Sequence, residues 1–221
     1  ADAHQKFRTA VATLNTRIGD RTLMAGKATQ GPALANADDI LVTLDTLTTG
    51  MTTALDVEAA LDAWFDDPAG FSALAYLGDE PLEALAIAPG EVVAIGVTAD
   101  HPAIRDTLKG LAMAALLDRG SLALAPEGQS TLAARAGETL MDAQSARTQL
   151  SARVGVVQEQ IAAAESRNSA EASALEIARA RIVSVDPYET ATRLEETQTQ
   201  LETLYAITAR LSRLSLTDYL G

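Results

Sequence analysis

Few residues in this chain have the types and spacing that chemistry requires. Histidine occurs twice, at His4 and His101, and either ring could serve as a general base or a metal ligand because imidazole titrates near neutrality. Neither has a second His at ligand spacing. With no cysteine in the chain, thiol catalysis, Cys-based zinc binding and a disulfide framework are excluded. His101 stands directly before Pro102 and reads as a helix-start residue. The acid pairs Asp38-Asp39 and Asp66-Asp67 have the chemistry of a cation site or of paired catalytic carboxylates. One lies at a helix start, the other at a helix end before Pro68, and no loop has the D-x-[DN]-x-[DN]-G spacing, so both read as solvated acids. Gly90 and Gly96 make no phosphate-binding pattern. The expectation is a chain that is not an enzyme, with no cofactor and no metal.

The strongest pattern is apolar and lies at the end of the chain. Asp186 has the character of an N-cap, Pro187 takes the first helical position where its missing N–H costs nothing, and Glu189 follows at the spacing of a capping box. Leu194, Leu201, Leu204 and Leu211 then repeat at heptad spacing, and Ile207, Leu214 and Leu216 widen the stripe. A lone helix of this kind leaves its leucines in water, so the segment is read as an assembly helix packing between subunits, with Tyr219 and Leu220 as its innermost contacts.

Composition agrees with long helices. The chain has 221 residues, 48% hydrophobic but only 4% aromatic, a profile of helices packed through small side chains. Formal net charge is −13, and no Lys or Arg occurs between Lys27 and Arg105. An interval so acidic repels a phosphate backbone, which argues against nucleic acid as partner. No apolar run approaches the ~20 residues of a membrane span, and the opening Ala1-Asp2-Ala3 lacks both an initiator Met and the order of a secretory signal. Ala1 is read as a cut end, with natural chain upstream.

The elements follow from periodicity. Phe7, Val11, Leu14, Ile18 and Leu23 have helical spacing up to a break near Gly19 or Gly26. Asp38 to Phe65 reads as two short helices, carrying Ile40/Leu41/Leu44/Leu47 and Val57/Leu61/Trp64/Phe65, parted near Thr49-Gly50, with Trp64 and Phe65 in a core. From Phe71 the period becomes two, through Ala73, Ala75 and Leu77, which predicts a strand. Leu85 to Ile87 and Val92 to Val97 predict two more, joined by a tight turn at Pro89-Gly90. Asp100-His101-Pro102 starts a helix with Ile104, Leu108, Leu111, Ala115 and Leu116 on one side. From Ser130 to about Val183 there is no proline. Leu140, Val154, Ile161, Leu175 and Ile182 share one heptad phase, and Ala143, Leu150, Val157, Ala164 and Ala178 the other. Such a helix is roughly 75 Å long at about 1.5 Å per residue, and its natural partner is the N-terminal helix. The fold class is mainly α with a small α+β insertion: an elongated long-helix bundle carrying a small antiparallel sheet subdomain. Residues 1-34 and 130-183 form the rod domain, 35-129 the inserted outer domain, and 184-221 the C-terminal assembly helix.

Several segments resemble the bacterial flagellin family. Leu14-Asn15-Thr16-Arg17 followed by Arg21-Thr22-Leu23-Met24-Ala25-Gly26 is similar to its LN…ryLFaGt segment. Arg181-Ile182-Val183-Ser184-Val185-Asp186-Pro187-Tyr188-Glu189 resembles the SxIxDxDYxE transition, and Leu214-Ser215-Leu216-Thr217-Asp218-Tyr219-Leu220 resembles the SLxDYL ending of the family's hook-associated branch. Pro187 stands where the family usually has an acid, and Met24 replaces the usual Phe. The resemblance implies a structural, extracellular subunit of the bacterial flagellum serving motility. It implies type III export, with an export chaperone among its partners, and terminal coiled-coil helices that polymerise. Its other partners are then hook-associated proteins, flagellin and copies of itself.

Overall fold

A computed structural model of the chain describes residues 2–184 and 186–219, with side chains described as far as residue 213. The fold is mainly α, with two small antiparallel sheets. It divides into two units, Ala1–Glu165 and Ser166–Gly221.

The first unit opens with α1 (Asp2–Leu14), which buries Phe7 and Val11, four residues apart on one face. The helix stops at Leu14, and a hairpin of β1 (Arg17–Ile18) and β2 (Arg21–Thr22) follows, with Arg17 opposite Thr22 and Ile18 opposite Arg21. This corrects the helical reading of Ile18 and Leu23, which are 67% and 52% exposed. The reason is local. Gly19 adopts φ 61°, a left-handed conformation that a right-handed helix cannot contain. Asn15 leaves the helix to clamp the backbone of Leu34, its Nδ2 donating to the carbonyl at 3.0 Å and its Oδ1 accepting the N–H at 2.8 Å.

Two capped helices come next. In α2 (Ala37–Thr48) the Asn36 side chain accepts the Asp38 N–H at 2.9 Å. In α3 (Ala54–Asp66) Thr53 Oγ1 accepts the Asp56 N–H at 3.1 Å and donates to the Asp56 carboxylate at 2.7 Å. They part at Thr49-Gly50, where the sequence placed the break.

The strand expected from Phe71 is absent, and α4 (Phe71–Leu74), one helical turn, stands in its place. Gly70 is pressed so closely on the Trp64 carbonyl that no Cβ would fit, and this contact turns the chain inward. Phe71 is thereby buried against Trp64 and Phe65, with ring centroids 5.8 and 5.3 Å away, while Trp64 meets Phe65 edge-on at 4.9 Å. Beyond the turn, Ala75 and Leu77 exchange backbone bonds with Ala35 and Ala33, at 2.9 Å each, in a single bridge of Tyr76 to Leu34. The sheet then consists of β3 (Leu85–Ala88) and β4 (Glu91–Val93), antiparallel, with Leu85 opposite Val93 and Ala86 opposite Val92. Gly90 supplies the φ of 79° that the third position of the turn requires.

Helix α5 (Pro102–Arg119) is the centre of the unit, and α1, α2 and α3 all pack on it. Its buried residues include Ile104, Leu108, Ala112, Met113, Ala115 and Leu116. Lys109 crosses to α3, with its ammonium 2.8 Å from Asp62 and 3.6 Å from Asp106. Burial pulls its pKa down, but these carboxylates outweigh burial and hold it above the ordinary lysine value.

Helix α6 (Pro126–Val183) begins in the first unit, where Leu132 and Ala136 join the same core and Ala143 is buried. It approaches α5 at Gly110, where a Cβ would lie 2.8 Å from Leu140 Cγ and 3.2 Å from the Ala136 carbonyl. The second unit holds the end of α6 and α7 (Pro187–Tyr219).

This close approach predicts opposite effects for two glycines. Gly110→Val overpacks the α5–α6 contact and should lower stability by about 1–3 kcal/mol, a fall of roughly 2–4 °C in Tm per kcal/mol for a chain of this size. Gly137, in the same α6 but with no atom within 4 Å of a would-be Cβ, should gain up to about 1 kcal/mol as Gly137→Ala. Thermal unfolding followed by circular dichroism reads both, and a wild-type Tm for Gly110→Val would contradict the packing.

Candidate assembly interface

Helix α7 starts sharply. Asp186 Oδ1 accepts the Tyr188 N–H at 2.8 Å, and its carbonyl accepts both the N–H and the hydroxyl of Thr190 at 2.9 Å. Pro187 is the first helical residue. Glu189 points along the helix to Arg193, 2.7 Å away, an i,i+4 pair on an exposed surface that adds a few tenths of a kcal/mol.

Leu194, Leu201, Leu204, Ile207 and Leu211 are all exposed, from 48% at Leu201 to 62% at Leu211. They are set along one side of the helix by their spacing, while Glu195, Glu202 and Arg213 fall on the other. The backbone of Leu214, Leu216 and Tyr219 is helical, but their side chains lie outside the described residues, and Leu220 lies wholly outside them. Leu175 and Ile182, from the heptad pattern of α6, are 62% and 84% exposed. Burial of about 0.8 kcal/mol per CH₂ is thus withheld from every described leucine of the stripe.

Periodicity did not find the role of threonine. Written as heptads, the a and d positions from Leu194 to Leu211 read Leu194, Thr197, Leu201, Leu204, Thr208 and Leu211. The hydroxyl of Thr197 donates to the Arg193 carbonyl and that of Thr208 to the Leu204 carbonyl, each at 2.7 Å. Thr192, Thr199 and Thr203 make the same i−4 bond. A threonine so bonded has satisfied its donor within its own helix and can turn its methyl outward. These two polar residues between Leu194 and Leu211 therefore require no polar partner. Exposed Tyr188, Tyr205 and Ile177 were also missed, because they stand outside the heptad phase.

The first unit has its own hollows along α6, of about 220, 330 and 460 Å³. Leu150 and Val154 line two of them, Arg147 two, and His101 with Arg153 the smallest. The α6 heptad residues here are half-buried, in contrast to those beyond residue 165.

The residues with chemical potential perform structural work. His101 is the N-cap of α5, its Nδ1 accepting the Ala103 N–H at 3.2 Å. Burial, then the charges of Arg153 and Arg105, lower its pKa from the ordinary histidine value. His4 Nε2 lies 3.1 Å from Asp38 Oδ1, and Asp67 Oδ1 accepts the Ala69 N–H at 2.8 Å. Among the described residues no group of three or more His, Asp or Glu is placed to hold a metal ion, and no helix is long and apolar enough to cross a membrane.

Residues 138–220, the greater part of α6 with α7, match the bacterial flagellin C-terminal helical region. The match covers less than half of the chain and supports a likeness to the bacterial flagellin family, a family of structural proteins. No curated protein and no solved structure matches the chain.

The cap at His101 predicts a pH dependence. Its folded pKa lies below the unfolded value near 6.5, so the stability it contributes is present above that pH. That stability is lost as the unfolded chain takes up a proton that the folded cap refuses. His101→Asn caps without titrating. Urea unfolding at a series of pH values should show wild type losing stability relative to His101→Asn below about pH 6.5; parallel curves would refute the cap's titration.

Proposed function

We propose that the chain is a structural subunit of the bacterial flagellum that polymerises through terminal coiled-coil helices, and within that class the hook–filament junction protein, the third hook-associated protein. The observation that carries the reading is the exposed seam of α7: an apolar heptad with silent threonines, in the segment that matches the flagellin C-terminal region. Its energy is realised only when a neighbouring subunit covers it, so assembly and burial are one event. The assembly contacts are Leu194, Leu201, Leu204, Ile207, Leu211, Leu214, Leu216, Tyr219 and Leu220. Asp186, Pro187 and Glu189 define where the helix begins. Residues 1-34 and 130-183 serve as rod domain, 35-129 as the outer domain and 184-221 as the assembly helix. The choice of junction protein rests on the Leu214-to-Leu220 ending, since filament flagellins tend to end in a different, arginine-containing tail. Export through the type III apparatus, with a chaperone, belongs to the same reading.

Immunogold electron microscopy with antibody against residues 35–129 tests it in the bacterium that carries the chain. Label confined to the distal end of the hook is expected. Label along the filament would make it a flagellin, and no flagellar label would make it a non-flagellar coiled-coil adaptor. A Leu201→Asp/Leu204→Asp protein should keep its stability within about ±0.5 kcal/mol, because both side chains are already exposed. The label should nevertheless vanish from its flagella.

A further inference from the structure

Two of the hollows along α6, of about 330 and 460 Å³, share Ile104 of α5 and Arg147 of α6 and so form one trough. Ala10 and Leu14 of α1 line its first part, and Leu150 and Val154 of α6 its second. Leu150 and Val154 belong to the α6 heptad pattern, and neither is fully buried. An apolar trough bounded by helices, with a heptad seam left partly open along it, is the kind of groove that receives one further amphipathic helix.

Arg147 specifies that helix. It takes the seam position between Leu140 and Val154, and among the described residues it makes no ion pair. Covering the trough draws its guanidinium out of water, which is costly unless the occupant brings a carboxylate to it. The α7 seam from Leu194 to Leu211 offers only leucine and threonine. The continuation of α6 beyond residue 165 does offer an acid: Glu171 stands in the seam phase of Ala164 and Ala178, with Leu175 and Ile182 exposed in the other phase. Arg147 and Glu171 thus belong to opposite phases. Antiparallel helices set opposite phases against each other in each layer, whereas parallel helices set each phase against itself. An antiparallel register that places Arg147 against Glu171 also places Glu171 against Arg147, so the contact is made twice and closes as a two-fold pair. It carries Leu175 one turn further, to the part of the trough lined by Ala10 and Leu14. We propose that the trough between α1, α5 and α6 receives residues 165–183 of α6 from a second copy of this chain, antiparallel, with Arg147 of each copy paired to Glu171 of the other. No residue of α7 enters this inference, so its failure and that of the assembly reading are separable.

The test uses the whole chain carrying Leu201→Asp/Leu204→Asp, which silences the α7 seam. Sedimentation equilibrium is run near physiological ionic strength, where repulsion between acidic surfaces is screened beyond about 8 Å. A dimer is expected. Arg147→Glu and Glu171→Arg, both at exposed positions that spare the fold, should each weaken it at least about tenfold, as loss of a covered charge pair does. The double reversal Arg147→Glu/Glu171→Arg should restore it, because the pair is re-formed with its signs exchanged. Thermal unfolding verifies that all three variants are folded. The chain has no cysteine of its own, so orientation can be read separately: a mixture of Leu150→Cys and Asn168→Cys copies should cross-link with a short bismaleimide, and neither variant alone should. A monomeric parent would overturn the proposal and leave the trough to a different protein. A dimer indifferent to either reversal, or a double reversal that remains monomeric, would overturn it as well.

Discussion

The structure of the first unit depends on the burial of α5. This helix gives its apolar side to α1, α2 and α3 together, and small residues let neighbours approach it: Ala112 and Ala115 are fully buried, and Gly110 admits α6. Without α5, α1, which carries Phe7 and Val11, would lose its main packing partner, and α3, which carries Trp64 and Phe65, would lose a packing neighbour. The chain's only tryptophan and all three of its phenylalanines lie in this one core. Aromatic residues supply large area per residue, so a chain only 4% aromatic concentrates them where one compact core must be secured.

The remainder follows the opposite rule. Beyond residue 165 every described side chain is exposed, although the helices continue and still carry large apolar residues such as Leu175, Ile182, Leu194 and Leu201. Helical backbone needs only its own hydrogen bonds and good propensity, which Ala, Leu, Glu, Gln and Arg supply here. Side-chain burial needs a second surface. The separation between a region that folds on itself and one that offers its apolar face elsewhere is thus written in where the partners of each helix lie.

Much of this was legible in the sequence. α2, α3 and α5 could be placed because their apolar spacing agrees with the Gly or Pro at their ends, as with Thr49-Gly50 between α2 and α3 or His101 before Pro102. The Pro89-Gly90 turn was legible for the same reason. Phe71 to Leu77 was misread because alternation of large and small residues is equally compatible with one buried helical turn followed by a bridge. What decides it is Gly70 against the Trp64 carbonyl, a contact between residues whose proximity no period reports. Ile18 and Leu23 were misread because helical spacing persists by chance across a glycine that leaves the helical conformation. At the candidate interface the leucines were visible, since their repeat needs no partner to be recognised. The threonine bonds were not, because the pattern of types is the same whether a hydroxyl faces solvent or its own backbone.

Those threonine bonds affect how selective the seam can be. A buried asparagine or a lysine in such a seam makes misalignment costly, since a shifted neighbour leaves a donor unmet. Thr197 and Thr208 impose no such penalty, because their donors are already engaged four residues back. On the proposed seam a neighbouring helix would meet the contour of leucine and methyl, and slippage by one heptad would exchange Leu201 with Thr208 and Thr197 with Leu204 at no cost in unmet hydrogen bonds. In the proposed assembly, alignment must then come from elsewhere in the chain, with the folded first unit as the ruler and the helix as the adhesive.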